Sequence, residues 1–466
     1  MSGSFSSLNT ALSALRYNRV AMDVASANIA NVGTKGYARR QVSPEAVGAP
    51  AQPAMWSRWD GAGDGVRVAS VDRMTDLLLD VRARIEHGHQ SYLDTRAAVL
   101  DRVEAGIGEP GDNGVAAALA DFRQGWHDVA NDLSGDAARS QLLGRANTLT
   151  AAINSQTRNV TTEASDQRAK LQALVAEVNI VASDLAATNK NIVVAMANGT
   201  DAGVLLDQRD QLAMRLSELT GATAEQGPEG NLDVSIGGVT LVNGSTANKL
   251  VISTGVTAGG EADGSSVTLG VLDSSTSATT AVPAGSRGEI GAVTDVLNTT
   301  LPNYLEGLNE VVRTLAGQVN TQHGKGYDAA GVLGQDFFSF DGTNPALTLT
   351  VAITDVNKIA ASSQPGGLVD GSNASTLGAL DGAESAYQRM VSGFGSDVAS
   401  ARRLAVNQQV LTQQIDGSRE QLSGVSLDEE VMALMSHQRA FEAASRVIST
   451  VDSMLDTLIN RTGLLR

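Results

Sequence analysis

The sequence contains no cysteine among its 466 residues. Disulfide bonds, thiolate zinc sites and cysteine nucleophiles are therefore excluded. A long chain without thiols suits a protein that crosses between compartments unfolded, because it cannot oxidise on the way. Aromatic residues make up only 3% of the chain and glycine occurs 48 times, a composition that is poor material for a densely packed catalytic domain.

Positive charge and long apolar runs are also scarce. The chain has 34 Lys and Arg against 51 Asp and Glu, so its formal net charge is −17. This acidic balance argues against nucleic acid and anionic membranes as partners. The first residues lack the basic and apolar regions of a cleaved secretory signal, and no run of about 18 apolar residues predicts a membrane span.

The strongest patterns lie at the two ends of the chain. Apolar residues recur at helical spacing near the N-terminus, at Leu8, Leu12, Leu15, Met22 and Ile29. A second stripe near the C-terminus consists of Leu427, Val431, Leu434, Phe441, Ile448, Leu455 and Ile459. Ser426 and Glu429 predict a capping box at the start of this last helix. Isolated helices of this length are not stable in water, so we predict that the two ends pair and then pack on equivalent pairs of other subunits. Heptads alone are equally compatible with a bundle within one chain.

The middle of the chain predicts more helices and one β-rich insertion. Residues 222–290 are rich in Gly, Ser, Thr and Val, and Gly237-Gly238 and Asn243-Gly244 are two-residue turn signals. We predict a mainly α fold with long coiled-coil-like helices from both termini, a helical middle domain and a small inserted β domain. The predicted divisions are 1–37 with 424–466, 38–221 with 291–423, and 222–290.

None of the candidate chemical patterns supports a catalytic or metal site. His87 and His89 form an H-x-H pair, but on a helix the two rings point to nearly opposite sides. Asp207, Arg209 and Asp210 are better interpreted as buried or interface ion pairs than as an acid–base cluster. No P-loop, nucleophile elbow or dinucleotide fingerprint occurs. We therefore predict no catalytic residues, no cofactor, no metal and no enzymatic activity.

The turn after the first helix carries a specific motif. Residues 26–37 read SANIANVGTKGY. This resembles the pattern S-x-N-[IL]-A-N-x-x-T-x-G-[YF] of bacterial flagellar rod, hook and hook-associated proteins, and every fixed position matches. The resemblance implies that Asn28, Asn31, Thr34, Gly36 and Tyr37 form a fixed assembly turn. Lys35 and Ala38 stand where the family commonly has Pro and Ser.

Further segments resemble the hook-associated branch of this family. They include the run LLDQRDQL at 205–212, the residues Asn320, His323, Asp328 and Gly331, and the block SGVSLDEE at 423–430. The resemblance covers most of the chain except about 245–285. It implies a structural subunit that forms the adapter at the hook–filament junction, on which the filament is assembled.

The resemblance also implies partners and a location. Such proteins are exported unfolded through the flagellar type III channel without a cleaved signal, and an export chaperone binds the C-terminal helix. They assemble with themselves into a ring or helical layer, with hook protein on one side and a second junction protein on the other. The terminal helices line the inner core, and the β insertion points outward. Contacts between subunits should be head-to-tail, since an adapter bonds two different lattices.

Two other functions compete with this hypothesis. Another axial subunit of the rod or hook is disfavoured by the LLDQRDQL segment and by the long helical middle. A secreted wall-degrading enzyme with a flagellar targeting end would need a catalytic domain. Residues 222–290 offer few ionisable side chains for one.

Overall fold

The computed structural model describes residues 2–48, 65–112, 114–227, 230–285 and 287–457. The chain is mainly α-helical, as predicted. Its main helices are α1 (Ser2–Ala30), α2 (Leu77–Ile107), α3 (Val115–Asn131), α4 (Asp136–Ala197), α5 (Gly203–Thr220), α6 (Gly288–Asp295), α7 (Leu301–His323), α10 (Gly382–Ser423) and α11 (Leu427–Asp456). Two short helices, α8 (Pro345–Thr348) and α9 (Ser372–Gly378), precede α10.

The strands form four small antiparallel sheets. A hairpin joins β1 (Arg40–Val47) to β2 (Gly65–Arg73), and β10 (Phe338–Ser339) pairs with β11 (Thr350–Val351). The inserted region holds β3 (Thr223–Gln226), β4 (Leu232–Ile236), β5 (Val239–Asn243), β6 (Thr246–Ala247), β7 (Lys249–Thr254), β8 (Thr268–Leu272) and β9 (Thr279–Ala281). The predicted Gly-Gly turn is present, with φ of 56° at Gly237 and 84° at Gly238.

The two terminal helices pair in antiparallel orientation. Asn28 at the end of α1 bonds Glu430 at the start of α11. Asn18, which lies earlier in α1, bonds His437, which lies later in α11. The residues of α1 that this arrangement buries are mostly small and fall at heptad spacing: Ala11, Asn18, Ala21, Ala25 and Asn28. Small side chains let two helices approach closely, so larger residues lie on the flanks of the seam.

After Tyr37 the sequence predicts an extended, irregular chain in which Pro44 blocks a helix, and a short strand within 63–68. It does not predict that the two segments pair as the strands β1 and β2. Pro44 is accommodated at a register shift between Ser43 and Pro44, which is where a strand tolerates proline. The hairpin packs against α1, and the backbone nitrogen of Val66 donates to the Ser13 hydroxyl at 3.1 Å. The predicted boundary at residue 37 does not anticipate this contact, and the division into domains stays a prediction.

Three asparagines fasten the β insertion to the helices. Each side-chain amide donates to the carbonyl and accepts from the N–H of one strand or loop residue, as a neighbouring strand would. The pairs are Asn179 with Leu250, Asn189 with Leu232, and Asn298 with Val267, all between 2.7 and 3.2 Å. The region 256–286, whose composition resembles a linker, accordingly contains β8 and β9 rather than free chain.

The sequence predicts one helix over about residues 290–322. The structure interrupts this helix once. A π-helical turn at Val296–Thr300 separates α6 from α7. Pro302 follows it and lacks the N–H that would bond the carbonyl four residues earlier, which explains the interruption. The same turn places Asn298 toward the insertion.

The helix α4 spans 62 residues as a single helix. Among the described residues it is the one helix with an 18-residue window (mean hydropathy 1.2) that length and composition would allow to cross a membrane. Half of the window is buried inside the protein, as in the core helix of a water-soluble protein.

A buried aromatic cluster surrounds the end of α7. Phe122, Trp126 and Phe337 lie with ring centroids 5.3 to 6.1 Å apart, and the His323 ring packs against Trp126 and Phe337. His323 is completely buried. Its Nδ1 donates to the Gln335 carbonyl at 2.6 Å and its Nε2 accepts from the Ala360 N–H at 2.9 Å. The ring is therefore held in its neutral form.

We expect His323 to make the stability of the fold depend on pH. Burial lowers the pKa of His323 in the folded chain. Below the pKa of about 6.5 that histidine has in the unfolded chain, the unfolded chain therefore binds a proton that the folded chain does not bind. Stability then falls on acidification, by up to about 1.4 kcal/mol per pH unit within that window. Urea unfolding at several pH values should show a shallower dependence for His323→Gln than for the unmodified chain. Parallel curves would contradict this account.

Candidate assembly site at the elbow

Asn28 is the centre of the turn that links α1 to the rest of the chain. Its Oδ1 accepts from the Arg40 N–H at 3.1 Å and from the Tyr37 hydroxyl at 2.8 Å. Its Nδ2 donates to the Arg40 carbonyl and to Glu430 Oε2, both at 2.9 Å. Only 1% of Asn28 is exposed, and all four hydrogen-bonding positions of its amide are used. One side chain thus joins α1, β1 and α11.

Glu430 and Arg39 close this turn against the last helix. Arg39 Nε donates to Glu430 Oε1 at 2.7 Å, and its Nη1 lies 3.0 Å from Glu429. The Arg39 N–H also bonds the carbonyl of Ser423, and its carbonyl accepts from Met74 N–H. Ser426 is the N-cap residue, as predicted, but the capping box is absent: the Ser426 side chain makes no capping bond, and the Glu429 carboxylate pairs with Arg39.

The turn itself is short and mostly exposed. Asn31 Nδ2 bonds back to the Ala27 carbonyl at 2.8 Å, and Thr34 donates to Asn31 Oδ1 at 3.2 Å. The left-handed residue of the turn is Gly36, with φ of 79°. Burial raises the pKa of Tyr37, against the opposing charge of Arg40, so the Tyr37 hydroxyl remains a donor.

The acidic run at the start of α5 receives the arginines of the hairpin. Asp207 lies 3.2 Å from Arg40 and 2.8 Å from Arg73, and Arg73 also contacts Asp210 at 2.9 Å. Gln211 donates to the Lys35 carbonyl at 2.7 Å. Burial raises the pKa of Asp207, and the guanidinium groups of Arg73 and Arg40 offset only part of this rise. The LLDQRDQL run thus binds Arg40 and Arg73 of the hairpin, which agrees with its interpretation as buried ion pairs.

Residues 28–40, together with Glu430 and Asp207, form the elbow of the molecule. An elongated terminal pair and a helical body meet there through one buried polar cluster. Such an arrangement fixes the direction of the pair relative to the body, since buried, fully paired polar groups tolerate few alternatives.

The residues predicted to pack the terminal helices lie mainly beside the seam. Leu8, Leu15, Met22 and Ile29 are half-buried, and Leu12 is 39% exposed. In α11 the buried positions are Glu430, Ala444 and Val451. Leu434, Phe441, Ile448 and Leu455 are half-buried neighbours, and Leu427 and Val431 are largely exposed. Ile459 lies outside the described residues.

The two histidines of the H-x-H pair have separate partners. His87 Nε2 lies 3.0 Å from the Asp416 carboxylate, and His89 contacts Arg287. In the part of the chain that the structure describes, no group of three His, Cys, Asp or Glu side chains is placed to hold a metal ion.

Comparison with known proteins assigns the chain to a family. Residues 100–338, just over half of the chain, match the family described as "Flagellar hook-associated protein FlgK helical domain". The chain belongs to the flagellar hook-associated FlgK family. The two ends match two further flagellar families: residues 8–37 match "Flagella basal body rod protein" and residues 420–461 match "Flagellar basal body rod FlgEFG protein C-terminal".

Relatives of the FlgK family match along nearly their whole length. The flagellar hook-associated protein 1 of Bacillus subtilis is 28% identical over 505 residues, covering 100% of this chain and 99% of the relative. That of Escherichia coli is 23% identical and covers 97% of this chain and 99% of the relative. The solved structure titled "flagellar hook junction protein FlgK" from Burkholderia pseudomallei shares the fold, with a TM-score of 0.65 and 16% identity, covering 73% of this chain and 100% of that chain.

Membership of the FlgK family makes this chain a structural, axial component of the bacterial flagellum. The sequence motifs identified Asn28, Tyr37 and the acidic run, but not their partners Glu430, Arg39 and Arg73. The pattern of α11 did not single out Glu430, because the predicted apolar seam runs through its neighbour Val431.

Proposed function

We propose that this chain forms the adapter layer between the flagellar hook and the filament. The observation that carries the proposal is the terminal pair, whose seam is made of small residues while its larger apolar residues stay half-open. Exposed apolar stripes on long helices are unfavourable in an isolated monomer and mark interaction surfaces.

Copies of the chain would cover these stripes in a ring or helical layer. The half-buried row of Leu8, Leu15, Met22 and Ile29 runs along one flank of α1. On α11, Met432 is 64% exposed and Met435 48% exposed. The elbow holds every copy of the pair at one angle to its body, so the same heterologous contact can repeat around an axis.

Hook protein on one side and a second junction protein on the other would bind the two ends of this layer. Export without a cleaved signal fits a chain that has no thiol to oxidise. The exposed methionines of α11 suit an export chaperone, since flexible thioether side chains adapt to a partner surface.

Electron microscopy of a strain lacking this chain tests the proposal. We expect hooks of normal length without filaments, and filament protein released into the medium. Missing hooks would instead assign the chain to the rod or hook. Normal filaments would contradict the adapter function, and an antibody against the chain should label the hook–filament boundary in the unmodified strain.

A further inference from the structure

The end of the helical body farthest from the elbow is built from two long loops. One loop connects α7 to β10, and the other connects β11 to α9. The second loop lies beside the first turn of α4, where Arg139 donates to the carbonyls of Val356 and Ile359 at 3.2 Å. The opposite end of α4 leads to Asp201, which pairs with Arg40 of the elbow. At 1.5 Å per residue, the two ends of α4 are about 90 Å apart.

Four aliphatic side chains project from these loops into solvent. They are Val332 (59% exposed), Leu333 (55%), Leu368 (41%) and Val369 (59%), here named the end patch. The two loops touch, since a β-carbon on Gly331 would lie 3.2 Å from the Gly366 nitrogen. Single exposed aliphatic residues are common, but four on two touching loops are a local concentration of apolar surface, and such concentrations mark interfaces.

The end patch is held in shape without a partner. Asp328 Oδ1 accepts from the N–H groups of Ala330 and Val332, at 2.9 and 2.8 Å. Tyr327 and Ser362 exchange two backbone hydrogen bonds across the loops, and Asp370 accepts from Ser363. A surface that is ordered beforehand loses little conformational entropy on binding.

The rim of the end patch is acidic: Asp328 accepts from the Val332 N–H, and Asp370 follows Val369 in the chain. The same loops carry Asp336 and Asp355, and Asp132 and Asp136 flank the turn that leads into α4, against which the second loop packs. None of the six forms an ion pair within the described part of the chain, and the same loops contribute only Lys325 and Lys358 as cations. An apolar centre with an acidic rim is complementary to an apolar surface that lysine or arginine side chains surround.

We propose that the end patch is the docking surface for an axial subunit of an adjoining layer, through an apolar surface with a basic rim. The inference rests on the proposed adapter function, in which different proteins bind the two ends of the layer. A second copy is the less suitable occupant. If the end patch matched the opposite end of its own chain, the contact would repeat without closing and the protein would grow into a filament of itself.

Site-specific photo-cross-linking tests the end patch in assembled flagella. A benzophenone amino acid at Leu333, introduced by codon suppression, is irradiated in isolated hook–filament structures, and the product is identified by mass spectrometry. The control places the same group at Val406, which is 60% exposed on α10. We expect Leu333 to yield an adduct with a different axial subunit, on a peptide flanked by Lys or Arg. Adducts with this chain alone, or equal yields from both positions, would overturn the proposal.

A charge introduced into the end patch gives a second readout. Val369→Asp should lower the yield of filaments that survive shearing by about tenfold or more, because it would bury an unpaired charge at the centre of the contact. Val406→Asp should leave that yield unchanged. If labelling fails to find the chain at the hook–filament boundary, the adapter function itself fails; if the chain is there but Val369→Asp has no effect, only the end patch is refuted.

Discussion

Replacement of Asn28 by alanine is expected to release the terminal pair from the body and to abolish filament assembly. The substitution leaves the Arg40 backbone, the Tyr37 hydroxyl and one Glu430 oxygen without their buried partner. Each unsatisfied group costs about 1–3 kcal/mol, so the local loss is about 3 kcal/mol or more. Hydrogen exchange of the purified chain should show faster exchange in α1 and α11, with α3 and α4 still protected.

Asn31→Ala is the matched control for Asn28→Ala. Asn31 belongs to the same motif, but its Nδ2 bonds only the Ala27 carbonyl of its own helix, and Thr34 is its one exposed side-chain partner. Its removal should cost less than about 1 kcal/mol and leave α11 protected. Equal effects of the two substitutions would show that the motif acts as a local turn, and that the bond between Asn28 and Glu430 is not what holds the pair.

The elbow shows how far the sequence alone could go. Asn28 and Tyr37 were recognisable because they fall within one short motif. Their partner Glu430 is 402 residues away, and nothing in the local pattern of α11 distinguishes a carboxylate that pairs with Arg39 from one that faces the helix dipole. Partner choice over such distances depends on the packed structure, so it could not be predicted from spacing.

The seam of the terminal pair illustrates a different limit. The sequence correctly predicted amphipathic helices at both ends, yet the most apolar stripe of α11 is not its most buried one. Val431 lies in the predicted seam, whereas its neighbour Glu430 is buried and Val431 is 43% exposed. Hydrophobic patterning shows which face of a helix must be covered, but not by what. Within this one chain, α1 covers a different face of α11, the one that contains Glu430.

The asparagines that fasten the β insertion were overlooked, although one of them carried a usable signal. Asn189 lies between Leu185 and Ile192, at the spacing of one helix face, and all three are completely buried. A polar residue at such a position needs partners inside the protein. The sequence therefore indicated a buried hydrogen-bond site there, but not that a strand backbone would fill it.

Asp207→Asn should be the most destabilising single change at the junction of hairpin and body. Asp207 is the one carboxylate that both Arg40 and Arg73 contact, and the side chains of the three residues are only 9 to 12% exposed. Removal of its charge leaves two buried guanidinium groups undercompensated, which typically costs about 3–5 kcal/mol. The midpoint of urea unfolding should fall accordingly, and the hairpin amides should exchange faster.

The control for this change uses the same arginine. Asp201 also contacts Arg40, at 3.5 Å, but its side chain is 61% exposed. Asp201→Asn retains the oxygen that accepts from the Gly203 N–H at 2.8 Å, and loss of an exposed ion pair costs about 1 kcal/mol or less. A large effect of Asp207→Asn beside a small effect of Asp201→Asn would show that burial, rather than the number of ion pairs, makes the acidic run of α5 necessary to hold the elbow. Similar effects of both would mean that the elbow is held by its backbone and by Asn28 alone.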